Sequence, residues 1–253
     1  MKFILGSCSL EDYKESYEQA TFITQNGLQY MRAMCWKPRT SADAFQGKGE
    51  YGFRTLLELK EKFPELIFVT EVMDPSHIEK LESLGLDFVY QIGTRNCLNY
   101  GLLKHLGEYE NRDILFKRGM CAQIDEYLGA ASYMYPHKNN LWLCLRGIRT
   151  FDDSLRNTSD LDAILVLKDR FQYLPDRYKI IFDPSHSSGK RTFVESLSNA
   201  AMVLGVDGLE IEIHSNPDDA WSDSKQTIDF KTCERILVNY ESLTLKNADP
   251  FTI

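Results

Sequence analysis

The residues best suited to chemistry lie between Lys179 and Asp223, where KIIFDPSHSSGKR is followed by a helix-length stretch and then by GLEIEIHSNPDDAWSD. Each apolar run ends on a side chain that can grip a metal, His186 in the first and Glu212 in the second, and Asp223 lies in the loop beyond. One imidazole and two carboxylates make a mixed nitrogen and oxygen site for a divalent ion that still lacks a ligand. Cys8, in GSCS at the end of the first apolar run, is the candidate. A thiolate, an imidazole and two carboxylates do not select strongly among Mn²⁺, Fe²⁺, Co²⁺ and Zn²⁺, so one divalent ion of any of these kinds fits. The alternative for Cys8 is a small buried hydrophobe at a strand end.

Bringing such scattered residues together requires a particular kind of fold. Short β-rich runs recur at 2–9, 29–36, 66–72, 87–93, 113–119, 140–147, 179–186 and 208–214, nearly continuous in apolar residues, as parallel strands covered on both faces are. Helix-length segments separate them at Glu11–Asn26, Gly49–Phe63, Pro75–Leu84, Asn99–Glu108, Ile124–Tyr135, Asp160–Leu174 and Phe193–Leu204. Alternation repeated through the chain predicts an α/β fold, a single (β/α)₈ TIM barrel over residues 1–253, with an open doubly wound sheet as the alternative. No Pro, Gly or Ser block divides the chain, and the polar connections 37–48 and 148–159 both follow strand C-termini, where barrel enzymes place their chemistry.

Composition narrows the partners. A net charge of −8 argues against a general nucleic-acid binder but not against small anions, which respond to where cations sit. No long apolar run follows Lys2, which excludes a signal peptide at this end and, with no apolar span elsewhere, points to a cytoplasmic protein that does not enter membranes. The six cysteines form no CxxC pair and read as reduced thiols.

On a closed barrel the strand ends converge, and here they carry Cys8, Arg32, Lys37, Glu71, Arg95, Lys117, Arg146, His186 and Glu212. Any one of these could be a solvated loop residue; all of them together at strand ends mark one cavity. Arg32, Lys37, Arg95, Lys117 and Arg146 outnumber the carboxylates expected there, which suits a ligand with a phosphate or carboxylate and more than one anionic group. Lys37-Pro38-Arg39-Thr40-Ser41 adds an anion-binding candidate further out.

The stretches GSCS, KPRTSADAFQGKG, TEVMD, QIGTRN, LFKRGM, LRGIRTF, RNTSDLDAI, DPSHSSGKR and EIHSNPDDAWSD run in order through the whole chain. Together they resemble the 3-deoxy-D-arabino-heptulosonate 7-phosphate (DAHP) synthases, most closely the β branch of the type I enzymes. That resemblance implies that Cys8, His186, Glu212 and Asp223 bind the metal, that Arg32, Lys37, Arg95, Lys117 and Arg146 hold phosphoenolpyruvate, and that Arg39 and Thr40 meet an aldose phosphate. It implies Glu71 near the water that attacks phosphoenolpyruvate, and Lys37 as proton donor to the new alkoxide. The implied reaction joins phosphoenolpyruvate, erythrose 4-phosphate and water, giving DAHP and phosphate, the first step of the shikimate pathway. A homodimer or homotetramer is implied as well.

Several positions depart from the family pattern: Ser7 for proline, Ala33-Met34-Cys35 after Arg32, Thr94 for alanine, Leu145 for glutamate and Ser224 for glycine. None is an expected ligand, but they leave the acceptor open. The rival is the related synthase that uses arabinose 5-phosphate, whose acceptor loop resembles KANRSS rather than KPRTS; a ligand-binding paralogue without activity is the other alternative. No regulatory segment is expected, and a helical tail is expected after Phe230. His77, His105, His137 and His214 carry no motif, with His214 expected to border the site, and Cys35, Cys97, Cys121, Cys144 and Cys233 are expected to be structural.

Overall fold

The computed structural model describes residues 1–109, 112–134, 140–171 and 178–248. Eight parallel strands, β1 (Lys2–Gly6), β2 (Tyr30–Arg32), β3 (Ile67–Glu71), β4 (Phe88–Ile92), β5 (Asp113–Lys117), β6 (Asn140–Leu145), β7 (Tyr178–Phe182) and β8 (Gly208–Glu212), pair in sequence order. The barrel closes where β1 pairs with β8, Lys2 opposite Gly208 through Gly6 opposite Glu212. Around it lie α1 (Tyr13–Gln25), α2 (Phe53–Lys62), α3 (Pro75–Glu82), α4 (Tyr100–Gly107), α5 (Ile124–Ala131), α6 (Asp162–Phe171), α7 (Pro184–Ser188), α8 (Arg191–Val203) and α9 (Phe230–Ala248). Tyr135, His137 and the end of the expected helix at 172–174 lie outside the described residues.

The period-two alternation of each strand explains why the fold makes a site. Outward positions such as Leu5, Met31, Phe68, Tyr90, Phe116, Leu143, Phe182 and Ile211 join one core beneath the helices. Inward positions form a second, smaller core of Ile4, Val69, Val89, Leu115, Trp142, Cys144 and Ile181 that fills the bore. One step further along the same inward rows, apolar side chains give way to charge: Arg32 follows Tyr30, Glu71 follows Val69, Lys117 follows Leu115, and β8 turns in both Glu210 and Glu212. Lys2 closes the opposite end, its Nζ 4.5 Å from the Trp142 ring centroid and 2.9 Å from the Tyr30 hydroxyl.

Strand pairing ends a few residues before the expected limits, because the chain turns over the bore at each strand end. The clearest correction is at the seventh strand, expected to run to His186. Asp183 caps a one-turn helix instead, its Oδ1 accepting from His186 N at 2.8 Å, with Pro184 at the first helical position and Gly189 left-handed at the end. Between β6 and α6, reciprocal backbone bonds of 2.9 Å join Ile148 and Thr158 and close the base of the loop. No helix among the described residues is long and apolar enough to cross a membrane.

Candidate active site

At the C-terminal ends of the strands lies a cavity of about 260 Å³ lined in part by Cys8, Arg32, Lys37, Glu71, Lys117 and Arg146. Arg39, Thr40, Arg95, His186 and Asp223 reach the same cavity. Every residue given a role at the site from the sequence therefore borders it except Glu212, which is fully buried, while His214, expected only to border it, does not.

One side of the cavity is a ligand corner. Cys8, His186, Glu212 and Asp223 each offer an atom, all within 4.8 Å of one another, a spacing that suits a single ion bound at about 2.0–2.3 Å from each ligand. Cys8 Sγ lies 3.8 Å from His186 Nε2, which is 3.4 Å from Glu212 Oε1, and among the described residues that buried oxygen makes no hydrogen bond, although Arg32 Nη1 pairs with it at 3.1 Å. The positions are imposed by the surrounding chain. Gly6 ends β1 with φ of 143°, and a Cβ there would meet the Arg32 carbonyl at 2.6 Å, so only glycine lets the chain turn toward Cys8. Asp183 Oδ2 holds His186 Nδ1 at 2.8 Å and so orients the other ring nitrogen toward the corner. Asp223 is left-handed at φ 58°, a conformation that Asp tolerates better than most residues, and Arg156 Nη1 holds its Oδ1 at 3.1 Å.

Lys37 belongs to this corner as well. Its Nζ donates to Cys8 Sγ at 2.7 Å, Ser222 Oγ at 2.8 Å and Asp223 Oδ2 at 2.6 Å. Burial lowers the ammonium pKa, but Cys8, Asp223 and Glu212 more than offset this, so it stays protonated. Burial and then Glu212 push the Cys8 thiol well up, and only cations can bring out its thiolate.

Beside the corner runs a wall of cations with carboxylates interleaved. Arg32 Nε is 2.9 Å from Glu210 Oε1 and its Nη1 is 3.1 Å from Glu212 Oε1. Lys117 Nζ is 2.7 Å from Asp183 Oδ2 and 3.0 Å from Glu210 Oε2. The expected excess of cations is thus reduced in the inner tier, where Asp183 and Glu210 face Lys117 and Arg32. Arg146 is different: burial, only partly offset by Asp183, lowers its pKa, and its one direct bond given by the geometry is a weak 3.4 Å contact with the Gly147 carbonyl. Further out, Arg95 Nη2 donates to Thr40 Oγ1 at 3.0 Å, joining the two loops that carry the outer anion candidates.

Glu71 is the titratable group of the wall. Burial, opposed by Lys117 and by a 3.2 Å bond from Gln91 Nε2, pushes its carboxyl up to about 7, and its Oε1 has no hydrogen-bond partner among the described residues. A Cβ on Gly93 would lie 1.9 Å from that oxygen, so glycine at this position is what lets Glu71 occupy its place.

Sequence reasoning missed Asp183, Glu210, Arg156 and Gln226, whose Nε2 donates to Glu212 Oε2 at 2.7 Å. His214 does not border the cavity as expected. It is buried behind it, with Nε2 3.0 Å from Glu11 Oε2, and Glu11 Oε1 accepts from Trp221 N at 3.0 Å, which ties the start of the Asp223 loop to the first βα turn. Cys144 is buried in the bore with its Sγ 3.4 Å from Glu210 Oε2, Cys35, Cys97 and Cys233 are buried, and Cys121 is exposed. The departures from the family pattern leave the ligands in place: Ser7 N donates to Gln19 Oε1 at 3.0 Å, Thr94 Oγ1 to the Arg118 carbonyl at 2.6 Å, and Leu145 packs in the outer core.

The sequence pattern of the DAHP synthetase I family matches residues 1–246. The chain belongs to that family. Phospho-2-dehydro-3-deoxyheptonate aldolase of Thermotoga maritima is 37% identical over 241 residues, covering 95% of this chain and 69% of the relative. The crystal structure of the Thermotoga maritima protein, described as a DAHP synthase, superposes with a TM-score of 0.86 at 35% identity, over 96% of this chain and 68% of that one. A more distant similarity, 28% over 255 residues, covers 92% of this chain and 87% of the 2-dehydro-3-deoxyphosphooctonate aldolase of Fusobacterium nucleatum. Family membership accounts for the barrel and for the order of the motifs around its mouth.

Proposed function

We propose that the protein is a metal-dependent transferase that condenses phosphoenolpyruvate with erythrose 4-phosphate and water, giving DAHP and inorganic phosphate. The observation that carries this reading is that a four-residue ligand corner and a cation wall meet at one cavity, with Lys37 bonded to Cys8 and Asp223 of the corner. Two polyanions must be brought together against their repulsion, and the wall answers that need. Arg32, Lys37, Arg95, Lys117 and Arg146 hold the carboxylate and phosphate of phosphoenolpyruvate, while Arg39 and Thr40 at the rim take the phosphate of the aldose.

Cys8, His186, Glu212 and Asp223 would hold one Mn²⁺, Fe²⁺, Co²⁺ or Zn²⁺, which supplies Lewis-acid polarisation of the aldehyde oxygen. The residues supply the rest. C3 of phosphoenolpyruvate bonds to the aldehyde carbon, and Lys37, kept protonated by its anionic neighbours, gives a proton to the oxygen that becomes the alkoxide. Water adds at C2, with Glu71, poised at about 7, taking its proton. The C2–O bond then breaks and phosphate leaves, so the C2 carbonyl oxygen comes from water.

A second reading keeps the chemistry and exchanges the acceptor for arabinose 5-phosphate; the similarity to the octonate enzyme favours it, and the KPRTS loop opposes it. The test is phosphate release from phosphoenolpyruvate and Mn²⁺ across four- and five-carbon aldose phosphates. Erythrose 4-phosphate should give the highest kcat/KM. Faster turnover with arabinose 5-phosphate would transfer the chain to the second reading, and binding of phosphoenolpyruvate without release by any acceptor would leave a ligand-binding paralogue.

A further inference from the structure

Glu210 is the residue of the cavity floor that the proposed chemistry does not use. It faces into the bore from β8, is 0% exposed, and does not line the cavity. Its two oxygens join cations from opposite sides of the barrel: Oε1 is 2.9 Å from Arg32 Nε on β2, and Oε2 is 3.0 Å from Lys117 Nζ on β5. Both cations line the cavity above.

Holding them in place does not require Glu210. Arg32 keeps Glu212 at 3.1 Å through Nη1, and Lys117 keeps Asp183 at 2.7 Å. What Glu210 provides, alone among the described carboxylates, is a negative charge in direct contact with both, at a depth where water screens little. An anion entering from above meets cations whose charge this carboxylate already offsets. An ammonium has three N–H donors, so with two on Asp183 and Glu210 one remains for the cavity.

From this arrangement we infer that Glu210 is a built-in counter-anion that sets the affinity of the cavity for phosphate groups. It keeps Arg32 and Lys117 from retaining a phosphorylated ligand too tightly, so that phosphate released in a turnover can leave. This rests on the proposed phosphoenolpyruvate chemistry, and its test separates the two. Glu210→Gln keeps the shape and removes the charge, whereas Glu210→Asp keeps the charge.

The full Mn²⁺-loaded chain is titrated calorimetrically with inorganic phosphate and then with phosphoenolpyruvate, after circular dichroism has established that each variant is folded. E210Q should bind both about tenfold more tightly, with a lower KM for phosphoenolpyruvate and stronger inhibition by phosphate, and E210D should stay within about threefold of wild type. Unchanged or weaker phosphate binding in folded E210Q overturns the inference and makes Glu210 a structural support. If wild type binds neither ligand, the phosphoenolpyruvate reading itself falls, and the inference with it. Should E210Q fail to fold, the balanced pair Lys117→Met with Glu210→Met is compared with Lys117→Met alone. The second substitution should recover at least about tenfold in phosphate affinity, and no recovery overturns the inference.

Discussion

Arg32 and Lys117, on the floor of the cavity, end barrel strands and are each held by two buried carboxylates, whereas at its mouth Arg39 stands on a loop and Arg95 on a short 3-10 turn. The floor is almost dry: Arg32 is 2% exposed and Glu212 0%. At the mouth Arg95 and Thr40 are exposed and joined by a single bond of 3.0 Å. The floor is preorganised, because moving any of its charges would cost a buried partner one of its ion pairs. The mouth can change its residues without that penalty. Chemistry common to a family belongs on the first, and choice of acceptor on the second.

The largest expected effect tests the floor. Cys8→Ala should abolish turnover with every divalent ion, a loss of about 10⁴-fold from removing several kcal/mol of charge stabilisation, and calorimetry should show weakened Mn²⁺ binding. Turnover at the wild-type rate would show that Cys8 only packs. Next comes Glu71→Gln, with an expected loss of about 10²–10⁴-fold in kcat and of the rise in rate as pH climbs through about 7.

Glu71 also makes a stability prediction. Its carboxyl, raised from 4.5 to about 7, holds a proton more tightly in the folded protein than in the unfolded chain. The stability this contributes is complete below the unfolded value and is lost as pH rises through about 7. Urea unfolding of wild type and E71Q at several pH values between 5 and 8 should show wild type falling relative to the variant, by at most about 3 kcal/mol. A constant difference would mean that the carboxyl titrates alike in both states.

Smaller effects follow. Gly93→Ala, which forces Glu71 Oε1 aside, should lower kcat about 10²-fold while leaving the melting temperature within a few degrees. Retention of full kcat would mean that the position of Glu71 is not critical. At the mouth, Arg39→Ala should raise the KM for the aldose phosphate about tenfold and leave that for phosphoenolpyruvate unchanged. Equal effects on both substrates would erase the distinction between floor and mouth.

Much of this was legible in the residues themselves. The eight apolar runs locate the eight strands, and a charged residue ending nearly every one locates the cavity. The carboxylates of the floor were harder to read, because Glu210 sits inside a strand and Asp183 just beyond one. Glu210 looks like an interruption in GLEIEIH until the alternation is counted, which places it on the same inward row as Glu212. His186 falls at the end of the seventh apolar run, although Asp183, Pro184 and Gly189 spell a capped single turn. The left-handed Asp223 and the link from Glu11 through His214 depend on contacts between distant segments, which no local pattern records.

The central claim is that water adds at C2 and phosphate departs by C–O cleavage. The most direct test uses phosphoenolpyruvate with ¹⁸O in its bridging oxygen, turned over with erythrose 4-phosphate and Mn²⁺, with both products analysed by mass spectrometry. The account predicts that the label leaves with inorganic phosphate and that the sugar product carries none. Label retained at C2 of the sugar, with unlabelled phosphate released, would contradict it.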